Sequence, residues 1–374
     1  MRICLFTPTF LPAVGGAEKD ADMIARGLIQ RGHEVTVLAP RFSGSMPSVP
    51  YRVERYARPW RQHLWPEVLG LKLRRAHRRH RFDTVLAFYA YPTGYVAARL
   101  KHKLGFGAVL SPRGADLYPR FHGLRKRRVP QCIRDGYANA DSIVSISQYL
   151  TKRLHDVVGI DRLPPTELVY NGLDLEAFDA ELDTARGVPP LVEGRYVLHL
   201  ARVAPVKRQD LAVLGVAEAR AAFEEHGVKY AIVGDGSGMA ALRKQVSDLG
   251  LESIVKILGT RSGLEKAWLY RNAEFFVSTS REEAFGNVVI EAMAAGLPML
   301  ASDIGSHLEL IGEQGWGQLF EYDNAADLGQ HLTRWLGTDL TAMRERAVEL
   351  RGRYSLSKMI DGYENACRQA AELR

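Results

Sequence analysis

Ser278-Thr279-Ser280-Arg281-Glu282-Glu283-Ala284-Phe285-Gly286-Asn287-Val288-Val289-Ile290-Glu291-Ala292-Met293-Ala294-Ala295-Gly296-Leu297-Pro298 follows a short apolar run, Phe275-Phe276-Val277, that reads as a buried strand. Gly286 places a turn in its middle, and Val288 to Ala295 is strong helix-forming sequence stopped by Gly296 and Pro298. The stretch therefore predicts strand, loop and helix. A helix start leaves its first backbone N–H groups without intrahelical partners at the positive end of the dipole, which suits an anion. Two acids flank that start, Glu283 in the loop and Glu291 in the helix. A carboxylate beside an anion site suits sugar hydroxyls better than phosphate, because it only accepts hydrogen bonds. A phosphate and a polyol held together is the local expectation. The same two acids also suit the acid and base of a glycoside hydrolase, since their spacing along loop and helix leaves their separation undefined.

The alternation of short apolar strands, polar loops and helices extends in both directions. Toward the amino terminus, Arg2 to Thr7, a Gly15-Gly16 loop, a helix from about Ala17 to Arg31 stopped by Gly32, and Val35 to Leu38 form a β-α-β unit. The glycine pair lacks the G-x-G-x-x-G spacing of a dinucleotide site and reads as a loop for close approach of a ligand. Asp83 to Phe88, Ala108 to Ser111 and Ser142 to Ser147 are further strands, and Leu168-Val169-Tyr170 runs into Asn171-Gly172-Leu173-Asp174. The pattern restarts with Tyr196 to Leu200, Tyr230 to Val233, Val255 to Gly259 and Met299 to Ala301. The expected fold class is α/β, with two similar doubly wound halves: a first domain over 1–180, a linker over 181–194 marked by Pro189-Pro190, and a second domain over 195–355.

At 374 residues the chain is long enough for two cores, and 46% hydrophobic with 25% charged residues is an ordinary globular composition. No apolar run is long enough to span a bilayer, and the amino terminus reads as a strand rather than a signal peptide. Three cysteines without metal or redox spacing fit a reducing cytoplasm. The net charge of +7 is uneven: residues 1–180 carry 28 Lys and Arg against 16 Asp and Glu, the remainder 22 against 27. Much of the excess lies in Trp65 to Arg79, read as an amphipathic basic helix, and in Arg125-Lys126-Arg127-Arg128 after Tyr118, Phe121 and Leu124. Such segments lie on anionic lipid or are simply solvated faces. No nucleic-acid motif accompanies them, so nucleic acid is excluded as a partner.

Arg202 and Lys207 follow the strand that opens the second half, where a guanidinium and an ammonium suit a diphosphate. Gly234-Asp235-Gly236-Ser237-Gly238 is a tight turn after the next strand, and Asp116 after Arg113-Gly114 caps or orients its own loop. Eleven histidines show no H-E-x-x-H spacing and no D-x-D stands between apolar runs, so no metal is expected.

Taken together these stretches resemble the retaining glycosyltransferases of family four, with the GT-B fold of two Rossmann-like domains whose parallel sheets face a central cleft. The likeness rests on Phe6-Thr7-Pro8 with Gly15-Gly16-Ala17-Glu18, Arg31 to Val37, Asn171 to Asp174 with Phe178, Ala201-Arg202 with Lys207, and Gly234-Asp235-Gly236. Its most specific part is the two-glutamate segment from Glu283 to Pro298. The resemblance implies a transferase moving a sugar from a nucleotide-diphosphate donor, UDP-sugar before GDP-sugar, to a hydroxyl of a glycan, glycolipid or small molecule. It makes the domain over 1–180 the acceptor-side domain and that over 195–355 the nucleotide-sugar-binding domain. Arg202 and Lys207 would neutralise the departing diphosphate, and Glu283 with the backbone of Phe285, Gly286, Asn287 and Val288 would hold donor sugar and phosphate. Glu291 would hold the ribose, Gly15 and Gly16 would close over the diphosphate, and Gly234 would belong to the donor site. It further implies metal-independent chemistry without a cofactor, and a carboxyl-terminal helix over 356–374 packing back on the first domain. The enzyme would be cytoplasmic, peripheral on the inner face of the membrane through its basic half. Arg113 stands where many members have His, which leaves it and Asp116 as acceptor or donor contacts or as loop supports. A related epimerase or phosphorylase, or a non-catalytic sugar-nucleotide binder, is the alternative reading.

Overall fold

The computed structural model describes residues 1–13, 15–57, 64–118 and 122–373, and the chain divides into two compact α/β units. The first holds Met1–Gly172 and the segment from Leu356 onward, the second Leu173–Ser355. Phe121, read as an anchor beside the second basic cluster, lies outside the described residues.

The first unit is built on seven strands: β1 (Arg2–Phe6), β2 (Glu34–Pro40), β3 (Arg52–Tyr56), β4 (Thr84–Phe88), β5 (Gly107–Ser111), β6 (Ser142–Ser145) and β7 (Thr166–Leu168). They pair in parallel in the order β3-β2-β1-β4-β5-β6-β7, so the direction of build reverses between β1 and β4. Central β1, β4 and β5 are covered on both faces, which is why they read as unbroken apolar runs. Edge strand β3 is Arg-Val-Glu-Arg-Tyr, mostly half-exposed, and carries no apolar signal from which it could be read. The crossover helix Gly16–Gln30 buries Ala21, Ile24, Ala25 and Leu28 against this sheet.

Helix Leu356–Glu372 belongs to the same unit, burying Met359, Ile360, Tyr363, Ala366, Cys367 and Ala370. Its approach needs small neighbours: a Cβ on Gly107 would stand 2.1 Å from the Ala370 carbonyl oxygen. Glu364 fixes its outer face, accepting from Arg31 Nη1 (2.7 Å) and Arg368 Nη2 (2.8 Å) and pairing with His33 Nε2 (3.0 Å). The Arg31 hydrogen bond chiefly holds the Glu364 carboxyl down at about 2. Because the folded value is depressed, this support is complete above the unfolded carboxyl range and is lost as pH falls toward 2. Denaturant midpoints between pH 5 and 2 are expected to fall more steeply for the native chain than for Glu364→Gln; parallel slopes would contradict the assignment.

The second unit has six parallel strands: β8 (Tyr196–Leu200), β9 (Lys229–Val233), β10 (Val255–Gly259), β11 (Phe276–Ser278), β12 (Met299–Ser302) and β13 (Gly317–Phe320). Their order, β10-β9-β8-β11-β12-β13, reverses between β8 and β11. Val197, Tyr230, Ile232, Val277, Leu300 and Trp335 are among the side chains of its core. The division falls after Gly172, earlier than the expected boundary at 180, because helix Leu175–Thr184 starts on the Asp174 cap and lays Phe178 against Tyr270 (6.1 Å between ring centroids). The span read as a linker therefore begins inside a helix. Edge strand β13 escaped the sequence reading: it is short and only partly buried.

Candidate functional site

In open parallel sheets a ligand sits outside the carboxyl ends of the strands where their order reverses. In the second unit those strands are β8 and β11, and the loop after β8 carries Arg202 and Lys207 while the loop after β11 carries Glu283. The topology thus explains why residues 76 positions apart meet: Lys207 Nζ forms an ion pair with Glu283 Oε2, the two side chains 18% and 19% exposed. Arg202 is exposed in the same loop as Lys207, and its guanidinium has no hydrogen-bond or ion-pair partner among the described residues. Arg208 is committed elsewhere. It caps helix Gln209–Glu218 with a left-handed backbone and pairs with Asp323 (2.6 Å) and Asp210 (3.1 Å).

The β8 loop is shaped from both sides. Gly234 (φ +140°) and Gly236 (φ +156°) press the β9 loop onto it, where added Cβ atoms would stand 2.0 Å from the Ala201 carbonyl oxygen and 2.2 Å from that of Val203. The Val203 amide donates to the Asp235 carbonyl at 2.9 Å. Gly234 thus carries a backbone close-approach requirement, whatever it does for a donor. On the other side Thr279 Oγ1 lies 2.9 Å from the carbonyl oxygen of Lys207 and 2.7 Å from that of Arg208, and the Arg281 amide donates to the Val206 carbonyl at 2.8 Å.

Helix Asn287–Ala294 begins directly after Gly286, whose φ of +104° favours glycine and which caps without a side chain. Val288 is half-buried at that helix start, and Phe285 is buried against Tyr354 (5.9 Å between centroids), so the Phe285 side chain anchors the loop from beneath. Glu291 is buried farther along the helix. Its Oε1 accepts from Lys266 Nζ (2.7 Å) and its Oε2 from the Tyr270 hydroxyl (2.9 Å), both on helix Gly263–Asn272. The two motif glutamates are therefore placed differently: Glu283 mostly buried against a lysine in the loop, Glu291 buried in a lysine–tyrosine clasp. Two buried histidines lie nearby in electrostatic terms. Burial lowers His199 to about 3 and His307 to about 4, with Lys207 adding to both reductions and Glu283 opposing that of His307. Lys266, Tyr270, Thr279 and His307 carried no sequence signal, since nothing in spacing pairs 266 with 291 or 307 with 283.

In the first unit Gly15 and Gly16 are exposed at the start of helix Gly16–Gln30, near the carboxyl end of β1. Arg113 is turned inward. Its guanidinium is buried, donating to Asp20 Oδ2 (3.1 Å), Asn171 Oδ1 (3.0 Å) and the Tyr363 hydroxyl (2.8 Å), and it stacks 3.7 Å from the Phe88 ring centroid. Asp116 is buried too, accepting from the Ala90 amide (2.5 Å) and the Tyr137 hydroxyl (3.0 Å), and burial raises its carboxyl. It holds the β4 loop. Its other oxygen has no protein partner among the described residues.

Helix Trp65–His80 forms as expected, but Leu69 and Leu73 point into the fold; Leu71 is left exposed among Arg75, Arg78 and Arg79. Arg125 to Arg128 are all exposed. No described helix is long and apolar enough to cross a membrane, and no described group of three or more His, Cys, Asp or Glu is placed to hold a metal ion.

Residues 14–177 match the family model described as glycosyltransferase family 4, and residues 184–350 the one described as glycosyl transferases group 1. The chain is 24% identical to N-acetyl-alpha-D-glucosaminyl L-malate synthase of Bacillus anthracis over 95% of its length and 94% of that protein's. It is 27% identical to a GDP-mannose-dependent alpha-(1-6)-phosphatidylinositol monomannoside mannosyltransferase of Mycobacterium tuberculosis, covering 83% and 82%. Among solved structures, Anabaena HepE in complex with UDP-glucose superposes with a TM-score of 0.77 at 21% identity, covering 98% of this chain and 99% of that one.

Proposed function

Since the chain belongs to the family-four glycosyltransferases of GT-B fold, we propose that it transfers a sugar from a nucleotide-diphosphate donor, UDP before GDP, to a hydroxyl acceptor with retention of anomeric configuration. The observation that carries this reading is the Lys207–Glu283 pair at the β8/β11 reversal, with Arg202 exposed in the same β8 loop. Arg202 and Lys207 meet the diphosphate and neutralise the charge that develops as it leaves. Glu283, released from Lys207 by that contact, accepts from the sugar hydroxyls next to the helix start at Asn287. Glu291, aimed by Lys266 and Tyr270, accepts from the ribose hydroxyls. No side chain here acts as a covalent nucleophile; the departing phosphate takes the acceptor proton in a front-face attack, so the protein contributes position and charge. Neither metal nor cofactor has a part in these steps.

The acceptor is placed at a cytoplasmic membrane surface, with Arg75, Arg78, Arg79 and Arg125 to Arg128 meeting anionic headgroups. The phosphatidylinositol-based acceptor in the name of the mycobacterial relative supports this.

A thermal-shift series with UDP and GDP tests the donor assignment. A nucleotide at 100 times its dissociation constant is expected to stabilise the protein by about 2.7 kcal/mol, UDP doing so at the lower concentration. A protein stabilised by neither has no such donor site. Flotation with phosphatidylserine vesicles tests the surface, binding at low salt being expected and its absence pointing to a soluble acceptor.

A further inference from the structure

A buried imidazole bridges the carboxyl ends of β11 and β12 beside the loop that carries Glu283. Ser278 ends β11, Ser302 ends β12, and His307 stands on the short helix Gly305–Leu310 that follows β12. Ser302 Oγ donates to the Ser280 carbonyl oxygen at 2.6 Å, fixing the backbone three residues before Glu283. His307 Nδ1 lies 2.9 Å from the Ser302 carbonyl oxygen. A carbonyl only accepts, so Nδ1 carries the proton, and Nε2 presents its lone pair toward Ser278 Oγ at 3.5 Å. The imidazole is fully buried and held neutral, so it sets no second cation against Lys207 for the Glu283 carboxylate. With Thr279 clasping the Lys207 and Arg208 carbonyls, the carboxyl ends of β8, β11 and β12 form one hydroxyl-and-imidazole truss.

We propose that His307 is a positioning residue of the donor site: by donating from Nδ1 to the Ser302 carbonyl it fixes Ser302, whose hydroxyl in turn holds the Ser280–Glu283 loop where Lys207 and Glu283 meet a diphosphate-linked sugar. The inference rests on the donor-site reading above and assigns no contact between His307 and substrate. A truss of this kind acts on binding and alignment. A core histidine that only filled space would affect melting alone.

The test is calorimetric titration of the full chain with UDP and GDP, paired with melting temperatures. His307→Ala is expected to weaken nucleotide binding about tenfold, the size of one lost buried hydrogen bond. His307→Asn, whose side-chain amide donates from nearly the same place as Nδ1, is expected to remain within about threefold of the native chain. His307→Gln, which matches Nε2 instead, stays weak. Ser302→Ala is expected to reproduce the loss and serves where His307→Ala does not fold. Native affinity in His307→Ala or in Ser302→Ala, or a His307→Asn no better than His307→Gln, overturns the positioning role while leaving the donor site intact. A native chain that binds neither nucleotide overturns the donor-site reading, and the positioning role with it.

Discussion

Lys207→Ala is expected to lower sugar transfer about 10²–10³-fold, the usual loss when a preorganised group facing developing charge is removed. The site makes this more than the loss of one cation. Lys207 and Glu283 are four-fifths buried and paired, so removing the ammonium leaves a carboxylate facing the diphosphate without its paired cation. Glu283→Ala is expected to cost a comparable factor by a different route, since the sugar loses its hydroxyl acceptor while Lys207 remains free for phosphate. The pair is coupled, so the double variant is expected to be less impaired than the product of the single losses. Release of nucleoside diphosphate from a panel of sugar nucleotides, with mass detection of the glycosylated product, reads all three. Near-native turnover in Lys207→Ala would remove the diphosphate grip from the assignment.

The second large effect lies in the other unit and concerns stability. Arg113→Leu is expected to destabilise the first unit by about 3–5 kcal/mol, the cost of leaving one member of a buried pair without its partner. Asp20 and Arg113 are 3% and 2% exposed, and Asn171 and Tyr363 complete their hydrogen bonds. Replacing both members, Arg113→Leu with Asp20→Leu, is expected to recover most of that loss, because no uncompensated charge then remains. Urea unfolding of the three variants decides it: equal loss in the single and double variants would mean that the pair is not what Arg113 is for. Arg113→His, which restores the residue many family members carry, is expected to fall between, since an imidazole reaches fewer of the three acceptors that now surround the guanidinium.

Much of the site was legible before the fold was known. The segment around Glu283 and Glu291 has a strand, a turn requiring glycine and a helix start, all of them local features with period and punctuation. Arg202 and Lys207 were readable as a strand-end cation pair for the same reason. The expectation for Arg113 was legible only as a departure from the family pattern, and its direction was not. Whether a guanidinium meets a ligand or an internal aspartate depends on Asp20, Asn171 and Tyr363, which come from three distant stretches. Edge strands β3 and β13 were missed because partial exposure permits polar residues and erases the apolar run.

The sequence by itself determined the α/β class, the repeated strand–loop–helix units, the family resemblance and the identity of the proposed donor residues. Those follow from local periodicity and from residue types that each loop displays in order along the chain. The tertiary structure alone decided which of those residues are neighbours. The reversal of strand order between β8 and β11 sets Lys207 against Glu283, and helix Gly263–Asn272 closes Lys266 and Tyr270 on Glu291. It also set His307 beneath the loop and turned Arg113 inward. Pairing of strands far apart in the chain, and the burial of charge that follows, are properties of packed surfaces that no short stretch of sequence carries.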